Sequence, residues 1–311
     1  MSLNIDFKEM TGLNVFAHSD EFDQGQGRIR KGAEGILVAQ DGSGDFSNIQ
    51  TALNAVPTGG GKITIKEGTY YTEVPFVIKT SGTQIEGVSK NTIIRQTKGE
   101  VLFQSTGLDN IRIANMTIRG THGSGQVGMT FVGGDQIIID NVKVYYFGEE
   151  GILMESVTNS WIKDCFIDNN EEGGVHLTSC EHIIISQCRI RCYSFEGIII
   201  AACLAVEISN NVVDGLSPIF GGGGDGIRVR STSIAVNIIG NIIFYCWGEG
   251  IQVDGNSAEG VINGNIIHRA RNTGILISAG SVDWIVTNNL VHDCAFTDAG
   301  TGTQIAHNRV T

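Results

Sequence analysis

The sequence predicts an all-β protein: a single-stranded, right-handed parallel β-helix with a short amino-terminal capping helix. A glycine followed by an apolar, any, apolar triplet recurs at spacings of 23, 23, 23, 29, 24 and 24 residues. These glycines are Gly128, Gly151, Gly174, Gly197, Gly226, Gly250 and Gly274. Repetition at such a period is typical of a solenoid, and the alternation of apolar residues indicates strands rather than helices.

A second marker follows each of these glycines by 13 to 15 residues. It occurs at Asn141, Cys165, Cys188, Asn211, Asn241, Asn265 and Asn289. Asparagine tolerates the left-handed turn conformation, and stacked amides can hydrogen-bond along a ladder. We therefore expect three short strands per coil, with the coils stacked about 4.8 Å apart.

Composition agrees with this fold and excludes several partners. The 42 glycines suit many tight turns, and the 3 prolines suit uninterrupted strand ladders. No apolar run approaches the length of about eighteen residues that a membrane span needs. The formal charge of −12 argues against a nucleic-acid partner. The first residues, MSLNIDFKEM, lack a basic and an apolar region, so we do not expect them to act as a secretory signal.

The amino-terminal part of the chain differs from the coils. The expected division is an amino-terminal extension at 1–34, a capping segment with a helix at 35–60, and a parallel β-helix at 61–311. We predict that Ser47 caps a short helix with Ile49, Leu53 and Val56 on one face, and that Pro57 ends it. This helix would cover the open end of the solenoid, where an exposed strand edge invites aggregation.

The capping segment carries a family resemblance. The run DGSGDFSNIQTALNAVP, followed by GGGKITIKEGTYY, resembles the amino-terminal region of the pectin lyase-like superfamily, which includes pectinesterases and phage tailspike depolymerases. Over residues 85–311 only the coil repeat supports the resemblance. It implies a β-helix that acts on polysaccharides, in an extracellular or virion-associated location. It does not choose the reaction.

Several members of that superfamily are disfavoured by missing motifs. The QDTL, DFIFG and GRPW motifs of pectinesterases do not occur in this chain. Neither do the paired-aspartate and RIK patterns of polygalacturonases, nor the YGFDPH-type motif of mannuronan epimerases. The reaction therefore depends on the residues that the coils would stack together.

The cysteines and the acidic turns are candidate cross-links and metal ligands. Cys165 and Cys188, like Cys180 and Cys203, are 23 residues apart. Such stacked pairs could form disulfides, but a buried stack of small apolar side chains is favoured. CRIRC lacks a second pair at metal spacing, so no zinc site is predicted. DGSGD lacks the other ligands of a calcium loop, whereas the acidic turn DNNEEGG leaves calcium open.

One His–Asp pair is adjacent in sequence. In a strand, neighbouring side chains point to opposite faces. We therefore expect His292 and Asp293 to be poorly placed to act together.

Alignment of the coils on the glycine predicts an active site. The residues immediately before the glycine form a column that contains Glu150, Glu196, Asp225 and Glu249. Neighbours in this column would lie about 5 Å apart. Like charges so close raise one another's pKa, which lets one carboxyl stay protonated while another is ionised. We predict that Asp225, Glu249, Glu196 and Arg228 are catalytic.

Two rows of outward-facing residues adjoin the acid column. The positions two and four residues after the glycine bring together Leu153, His176, Ile199, Arg228 and Gln252 in one row, and Glu155, Thr178, Ala201, Arg230 and Asp254 in the next. Arginines there could neutralise the acids or clamp an anionic sugar. Substrate contacts are predicted for Glu150, Glu155, His176, Arg230 and Asp254.

Aromatic residues precede the column and predict a groove wall. They are Tyr145, Tyr146, Tyr193, Tyr245 and Trp247, with Arg269 and Arg271 in the turn of the next coil. An aromatic ring can stack on a sugar while its polar edge bonds the hydroxyls. Tyr193, Tyr245, Trp247, Arg269 and Arg271 are predicted substrate contacts. Tyr245 and Trp247 could instead pack under the SPIFGGGG insertion.

The function expected from these residues is polysaccharide hydrolysis by groove carboxylates. A polysaccharide lyase that uses His176 or Arg228 is one alternative, and a non-catalytic glycan-binding or structural module of a phage tail appendage is another. The final stretch GTQIAHNRVT is still repeat-like and has no evident polar cap. We therefore expect either a homotrimer of side-by-side solenoids or a natural chain that continues beyond Thr311.

Overall fold

A computed structural model describes residues 35–99, 101–123, 125–192, 195–215 and 224–311. The predicted extension at 1–34 lies outside the described residues. The described chain winds into a parallel β-helix, because every paired strand in it runs parallel to the corresponding strand of the adjacent coil. The predicted all-β fold class is confirmed.

The strands are short and regularly spaced. In chain order, the first elements are β1 Ile36–Val38, α1 Ile49–Asn54, β2 Gly61–Ile65, β3 Gly68–Thr72, β4 Phe76–Val77, β5 Thr83–Gly87, β6 Thr92–Gln96, β7 Val101–Thr106, β8 Arg112–Arg119, β9 Val127–Val132, β10 Ile138–Tyr145, β11 Glu150–Glu155, β12 Thr158–Lys163, β13 Phe166–Asn170, β14 Gly173–Thr178 and β15 Glu181–Ser186. They continue as β16 Arg189–Cys192, β17 Ile198–Ala201, β18 Glu207–Ser209, β19 Val212–Asp214, β20 Ile227–Arg230, β21 Asn237–Ile239, β22 Ile242–Phe244, β23 Ile251–Val253, β24 Val261–Asn263, β25 Ile266–His268, β26 Thr273–Ile277, β27 Ile285–Thr287, β28 Leu290–His292, β29 Ala295–Asp298, β30 Gln304–Ala306 and β31 Arg309–Val310.

Three faces surround the core. Sheet 1 has ten strands: β4, β7, β9, β11, β14, β17, β20, β23, β26 and β29. The other strands form one sheet that turns a corner, because β8 and β10 each pair on both of its faces. We call its faces sheet 2, which includes β12, β15, β18, β21, β24, β27 and β30, and sheet 3, which includes β13, β16, β19, β22, β25, β28 and β31.

The register along sheet 1 is the predicted one. His176 pairs with Ile199, Ile199 with Arg228, and Arg228 with Gln252. The repeated glycine is required by close approach between coils. A Cβ atom added to Gly226 would lie 2.5 Å from the carbonyl oxygen of Gly250 in the next coil.

An asparagine ladder runs through the core between sheets 2 and 3. The backbone N–H groups of Asn211, Asn241 and Asn265 each donate to the Oδ1 atom of the next ladder asparagine, at 2.9 Å. Their Nδ2 atoms donate both to that same Oδ1 atom and to a backbone carbonyl of the preceding coil. The predicted ladder is confirmed, and Asn308 extends it beyond Asn289.

Asn141 does not belong to the ladder, so that assignment was wrong. Its neighbour Val142 lies in the column, paired with Met116 of the preceding coil. Asn141 has a φ of 51° and donates instead to Asn115 Oδ1 at the surface. The strand β10 turns the corner here, which shifts the inward position by one residue.

The cysteines form the expected buried stack. Cys165, Cys180, Cys188 and Cys203 are buried free thiols. Across one stacked pair, the backbone N–H of Cys180 donates to Cys203 Sγ at 3.3 Å. The sulfurs therefore pack as small core groups.

The capping helix α1 packs against β1, β2 and β4. Its N-cap is Asn48, whose Oδ1 accepts the N–H of Thr51 at 3.0 Å, so the predicted cap at Ser47 was wrong by one residue. The side chains of Ile49 and Leu53 are buried, as their helical spacing predicts. Among the described residues, no helix combines the length and apolar character that a membrane crossing demands.

Candidate functional site

The four predicted acids stack at the turn that leads from sheet 3 into sheet 1. The N–H of the glycine that follows each position donates to the backbone oxygen of the acid in the next coil. Gly174 bonds Glu196 at 3.3 Å, Gly197 bonds Asp225 at 2.9 Å and Gly226 bonds Glu249 at 2.9 Å. Glu150 pairs with Gly173 one coil earlier. Glu196, Asp225 and Glu249 therefore lie on three successive coils.

Asp225 and Glu249 form a carboxyl pair in which Asp225 is buried and Glu249 is partly exposed. The Asp225 side chain is only 5% exposed, and its Oδ1 accepts the backbone N–H of Glu249 at 2.8 Å. Burial, a hydrogen bond with the Glu249 carboxyl and the nearby charges of Glu249 and Glu196 raise the pKa of Asp225 to about 7. This pair can therefore hold a proton near neutral pH, which an isolated aspartic acid cannot.

Arg228 joins the acids of three positions. Its Nη1 lies 3.1 Å from Glu196 Oε1, and its Nη2 and Nε lie 2.8 and 3.1 Å from Asp254 Oδ2. Its Nε is also 4.0 Å from Asp225 Oδ2. Asp254 thus reaches the site from the end of β23. Because the guanidinium already serves three protein carboxylates, a clamp on an anionic sugar would have to break these contacts.

A second polar cluster lies two coils away on the same face. His176 Nδ1 is 3.1 Å from Glu150 Oε1, and Thr178 Oγ1 is 3.3 Å from His176 Nε2. The hydrogen bond from His176 lowers the pKa of Glu150, despite its burial. Ile199 separates the two clusters, since it occupies the row position between His176 and Arg228. The Glu150 cluster is a carboxylate–imidazole–hydroxyl chain.

The residues predicted to form the groove wall fall into two separate groups, one around Trp247 and one around Tyr245. Arg271 lies over the Trp247 ring, with its Cζ 4.4 Å from the ring centroid. The Tyr245 ring packs instead on Phe244 and His268, at centroid distances of 5.6 and 6.2 Å, beside the outward side chains of sheet 3. Arg269 lies with Tyr245 on this side, because its Nη1 is 3.4 Å from the Tyr245 hydroxyl.

The remaining predicted contacts have mixed positions. Glu155 is exposed at the end of β11, and Arg230 is half-buried at the end of β20. Tyr193 and residues 216–223, which hold nearly all of the SPIFGGGG insertion, lie outside the described residues. Packing of Tyr245 and Trp247 under that insertion therefore stays a prediction.

The acidic turn contributes only one carboxyl to a cluster. Asp168 pairs with Arg191 at 2.8 Å, and Glu171 lies 3.2 Å from His122. Glu172 instead joins Glu149 and Glu150, with one oxygen of each within 4.8 Å of the others. Burial and these neighbouring charges raise the pKa of Glu172. Calcium, which the sequence leaves open, would find its carboxylate ligands at this position.

The expectation that His292 and Asp293 point apart was wrong. His292 Nε2 lies 3.6 Å from Asp293 Oδ2. Strand β28 ends at His292, and Asp293 has a φ of 54°, a left-handed conformation that ends the alternation of side chains. The Asp293 side chain is thereby turned to the same side as the imidazole.

Comparison with known proteins agrees with the parallel β-helix fold. A family model described as the right handed beta helix region matches residues 101–242 and 217–310. No curated protein matches the sequence significantly.

Solved structures share the fold at low identity. The ORF18 protein of Geobacillus virus E2 has a TM-score of 0.73 and 15% identity, over 84% of this chain and 56% of that one. The enzymatically active domain of tailspike protein 2 from bacteriophage CBA120 has a TM-score of 0.62 and 11% identity, over 84% and 43% of the two chains. DFA-IIIase from Arthrobacter chlorophenolicus A6 has a TM-score of 0.66 and 14% identity, over 81% of this chain and 74% of that one.

This chain thus spans about half the length of the first two of these structures. The matches confirm the right-handed parallel β-helix fold that the sequence predicts. Since the family model covers more than half of the sequence, the chain belongs to the right-handed β-helix region family.

Proposed function

We propose that the protein is a polysaccharide-degrading glycoside hydrolase whose active site is the acid column on sheet 1. The observation that carries the proposal is the Asp225–Glu249 carboxyl pair, in which Asp225 is buried and its pKa is raised to about 7. A glycosidase needs one protonated and one ionised carboxyl at the same pH. The Asp225–Glu249 pair supplies the first, and Glu196, the column acid that Arg228 binds, supplies the second.

The roles follow from burial and pairing. Asp225 is buried, whereas Glu249 is half-exposed, so Glu249 is the member of the pair that can reach a glycosidic oxygen. Asp225 lies behind it and shares its proton with the Glu249 carboxyl by a hydrogen bond, so Glu249 can pass a proton to the leaving oxygen while Asp225 becomes ionised. Glu196 is bound as a carboxylate by Arg228 and serves as the base or nucleophile one coil before Asp225. Arg228 keeps Glu196 and Asp254 close together although both are negative.

The resemblance of the capping segment to polysaccharide-acting proteins supports the substrate class. The neighbours include the enzymatically active domain of a tailspike and the enzyme DFA-IIIase, which shows that this fold carries enzymes. An extracellular or virion-associated location and a side-by-side homotrimer belong to the same proposal. Light scattering of the purified chain would test the trimer, and a monomer would contradict it.

The decisive experiment measures turnover on a panel of neutral and anionic polysaccharides. Release of reducing ends is the readout. Asp225→Asn and Glu249→Gln should each lower turnover by at least about 100-fold, the lower end expected for loss of a general acid or base. Glycan affinity should change little. Glu259→Gln, an exposed acid in a turn of the same solenoid, is the matched control. Undiminished turnover in both column variants would remove the column from the mechanism.

A second candidate is a polysaccharide lyase, favoured by the Glu150–His176–Thr178 chain. An imidazole oriented by a carboxylate is suited to remove a proton beside a uronate carboxyl. Lyase action leaves an unsaturated product, which ultraviolet absorbance detects and hydrolysis does not produce. If the wild type binds a glycan without cleaving it, the non-catalytic binding module replaces both enzymatic proposals.

A further inference from the structure

A second set of chemical groups lies on sheet 3, on a different face from the acid column. Phe244, His268 and His292 occupy the same outward position at the ends of β22, β25 and β28. The residue after each of them has a left-handed φ: 59° at Tyr245, 56° at Arg269 and 54° at Asp293. Successive coils therefore bring a pair of histidines beside a carboxylate.

The two imidazoles and the carboxylate converge. The rings of His268 and His292 are stacked, with centroids 4.7 Å apart and planes at 16°. Asp293 Oδ2 lies 3.7 Å from His268 Nε2 and 3.6 Å from His292 Nε2. Two donors on a tetrahedral zinc ion are about 3.4 Å apart, because each lies about 2.0–2.1 Å from the metal. These two distances exceed that value by a few tenths of an ångström, and all three donor atoms lie within 4.8 Å of one another, gaps that side-chain rotation can close.

The surrounding groups orient these donors. His292 Nδ1 lies 2.7 Å from Thr311 Oγ1. A hydrogen bond from Nδ1–H to that hydroxyl leaves the lone pair of the imidazole on Nε2, the atom nearest Asp293. Arg269 Nε lies 3.2 Å from Asp293 Oδ2. A carboxylate has about four lone-pair positions, so it can bind this guanidinium and a metal together.

We propose that His268, His292 and Asp293 bind a divalent transition-metal ion, for which Zn²⁺ is the probe. Two imidazoles and one carboxylate form a ligand set that zinc takes in proteins, and imidazole nitrogen favours transition metals over calcium. The ion would tie two adjacent coils together through side chains. The site shares no residue with the acid column, so it stands or fails independently of the proposed hydrolase.

The test is calorimetric titration of the metal-stripped full chain with zinc chloride. The wild type should bind one zinc ion, and His268→Ala and His292→Ala should each weaken the affinity at least about 10-fold, the lower end reported for disturbing a metal's ligand shell. Asp293→Asn should weaken it as well while preserving the shape of the side chain. His182→Ala removes an exposed histidine beside a carboxylate on another face and should leave zinc affinity unchanged.

Thermal unfolding with and without zinc provides a second measurement. Zinc should raise the melting temperature of the wild type and of His182→Ala by a few degrees, but not that of His292→Ala. Circular dichroism establishes that each variant is folded. Absence of zinc binding by the wild type, or equal zinc affinity in the wild type and both alanine variants of the pair, overturns the proposal.

Discussion

The asparagine ladder and the acid column are both polar columns that repeat with the coils, but they differ in how their members satisfy one another. An amide carries donors and an acceptor, so each of Asn211, Asn241 and Asn265 is paired by the same residue one coil away. An ionised carboxylate only accepts, so stacking Glu196, Asp225 and Glu249 creates repulsion. Repetition alone therefore does not reveal a site. A column that cannot satisfy itself is the stronger indication of function.

The largest expected effect is loss of stability from a break in the ladder. Asn241→Ala removes the partner of the Asn211 amide and of the Ile208 carbonyl, both inside the core. We expect the free energy of unfolding to fall by about 3–5 kcal/mol, the range for disrupting a buried hydrogen-bond network. Denaturant unfolding measures this change.

The ladder prediction has a control at the surface. Asn263→Ala removes bonds to Thr287 and Asn288 on the outer side of sheet 2 and should cost less than about 1 kcal/mol. Equal losses in the two variants would show that burial of the ladder is not what matters.

The next largest effect is expected when the arginine that holds the acids is removed. Arg228→Gln leaves Glu196 and Asp254, which are 13% and 19% exposed, without their cation. We expect a loss of about 2 kcal/mol at pH 8, below the value for a fully buried pair because Arg228 is 30% exposed. Urea unfolding at pH 8 and pH 5 measures it.

The loss in Arg228→Gln should be smaller at pH 5, because Asp225, with its pKa of about 7, is protonated there and no longer adds its negative charge to those of Glu196 and Asp254. Lys98→Gln breaks an exposed pair with Glu73 and should change stability little at either pH. A loss in Arg228→Gln that does not depend on pH would mean that packing, not charge, explains the role of Arg228.

A pH-dependent prediction follows from Asp225. Its folded pKa of about 7 lies above the ordinary value, so the folded state keeps a proton that the unfolded state releases. The stability that this proton provides is complete below about pH 4 and disappears as pH rises through about 7. Asp225→Asn cannot ionise and can still accept the Glu249 N–H. It should therefore melt several degrees higher than the wild type at pH 8. At pH 4 the two proteins should melt at about the same temperature.

Thermal unfolding of both proteins across this pH range checks the prediction. Glu150 works in the opposite direction, since its lowered pKa makes the folded state lose stability as pH falls. That contribution is common to both proteins and cancels in their difference. If the difference in melting temperature between wild type and Asp225→Asn is the same at every pH, the pKa of Asp225 is not raised in the folded protein.

The smallest effect is expected in the Glu150 cluster if the hydrolase proposal holds. Thr178→Val removes the hydroxyl beside His176 Nε2 and should lower turnover by less than about 10-fold, whereas an acid–base residue contributes about 100-fold or more. Reducing-end release measures it, with Asp225→Asn as the internal comparison. A loss of about 100-fold in His176→Gln, together with an unsaturated product, would transfer the chemistry to this cluster.

The regular parts of the fold could be predicted because they repeat. Gly226 marks a place where coils touch, and a one-residue shift would turn every side chain of the strand to the other face. The pairing of His176, Ile199, Arg228 and Gln252 therefore followed from alignment of the coils. The same argument placed Asn211, Asn241 and Asn265 in the ladder.

The sequence by itself determined the β-helix, its register and the stacking of the acids, because period-two strands follow a glycine that recurs in every coil and aligns each coil with the next, even across the one longer coil of 29 residues. Only the tertiary structure decided which side chains meet at the corners. Asn141, Tyr245 and Asp293 have left-handed backbones, and at such residues the alternation of faces no longer applies. The contact of Arg228 with Glu196 and Asp254, and of His268 with Asp293, depends on side-chain directions that coil length does not specify.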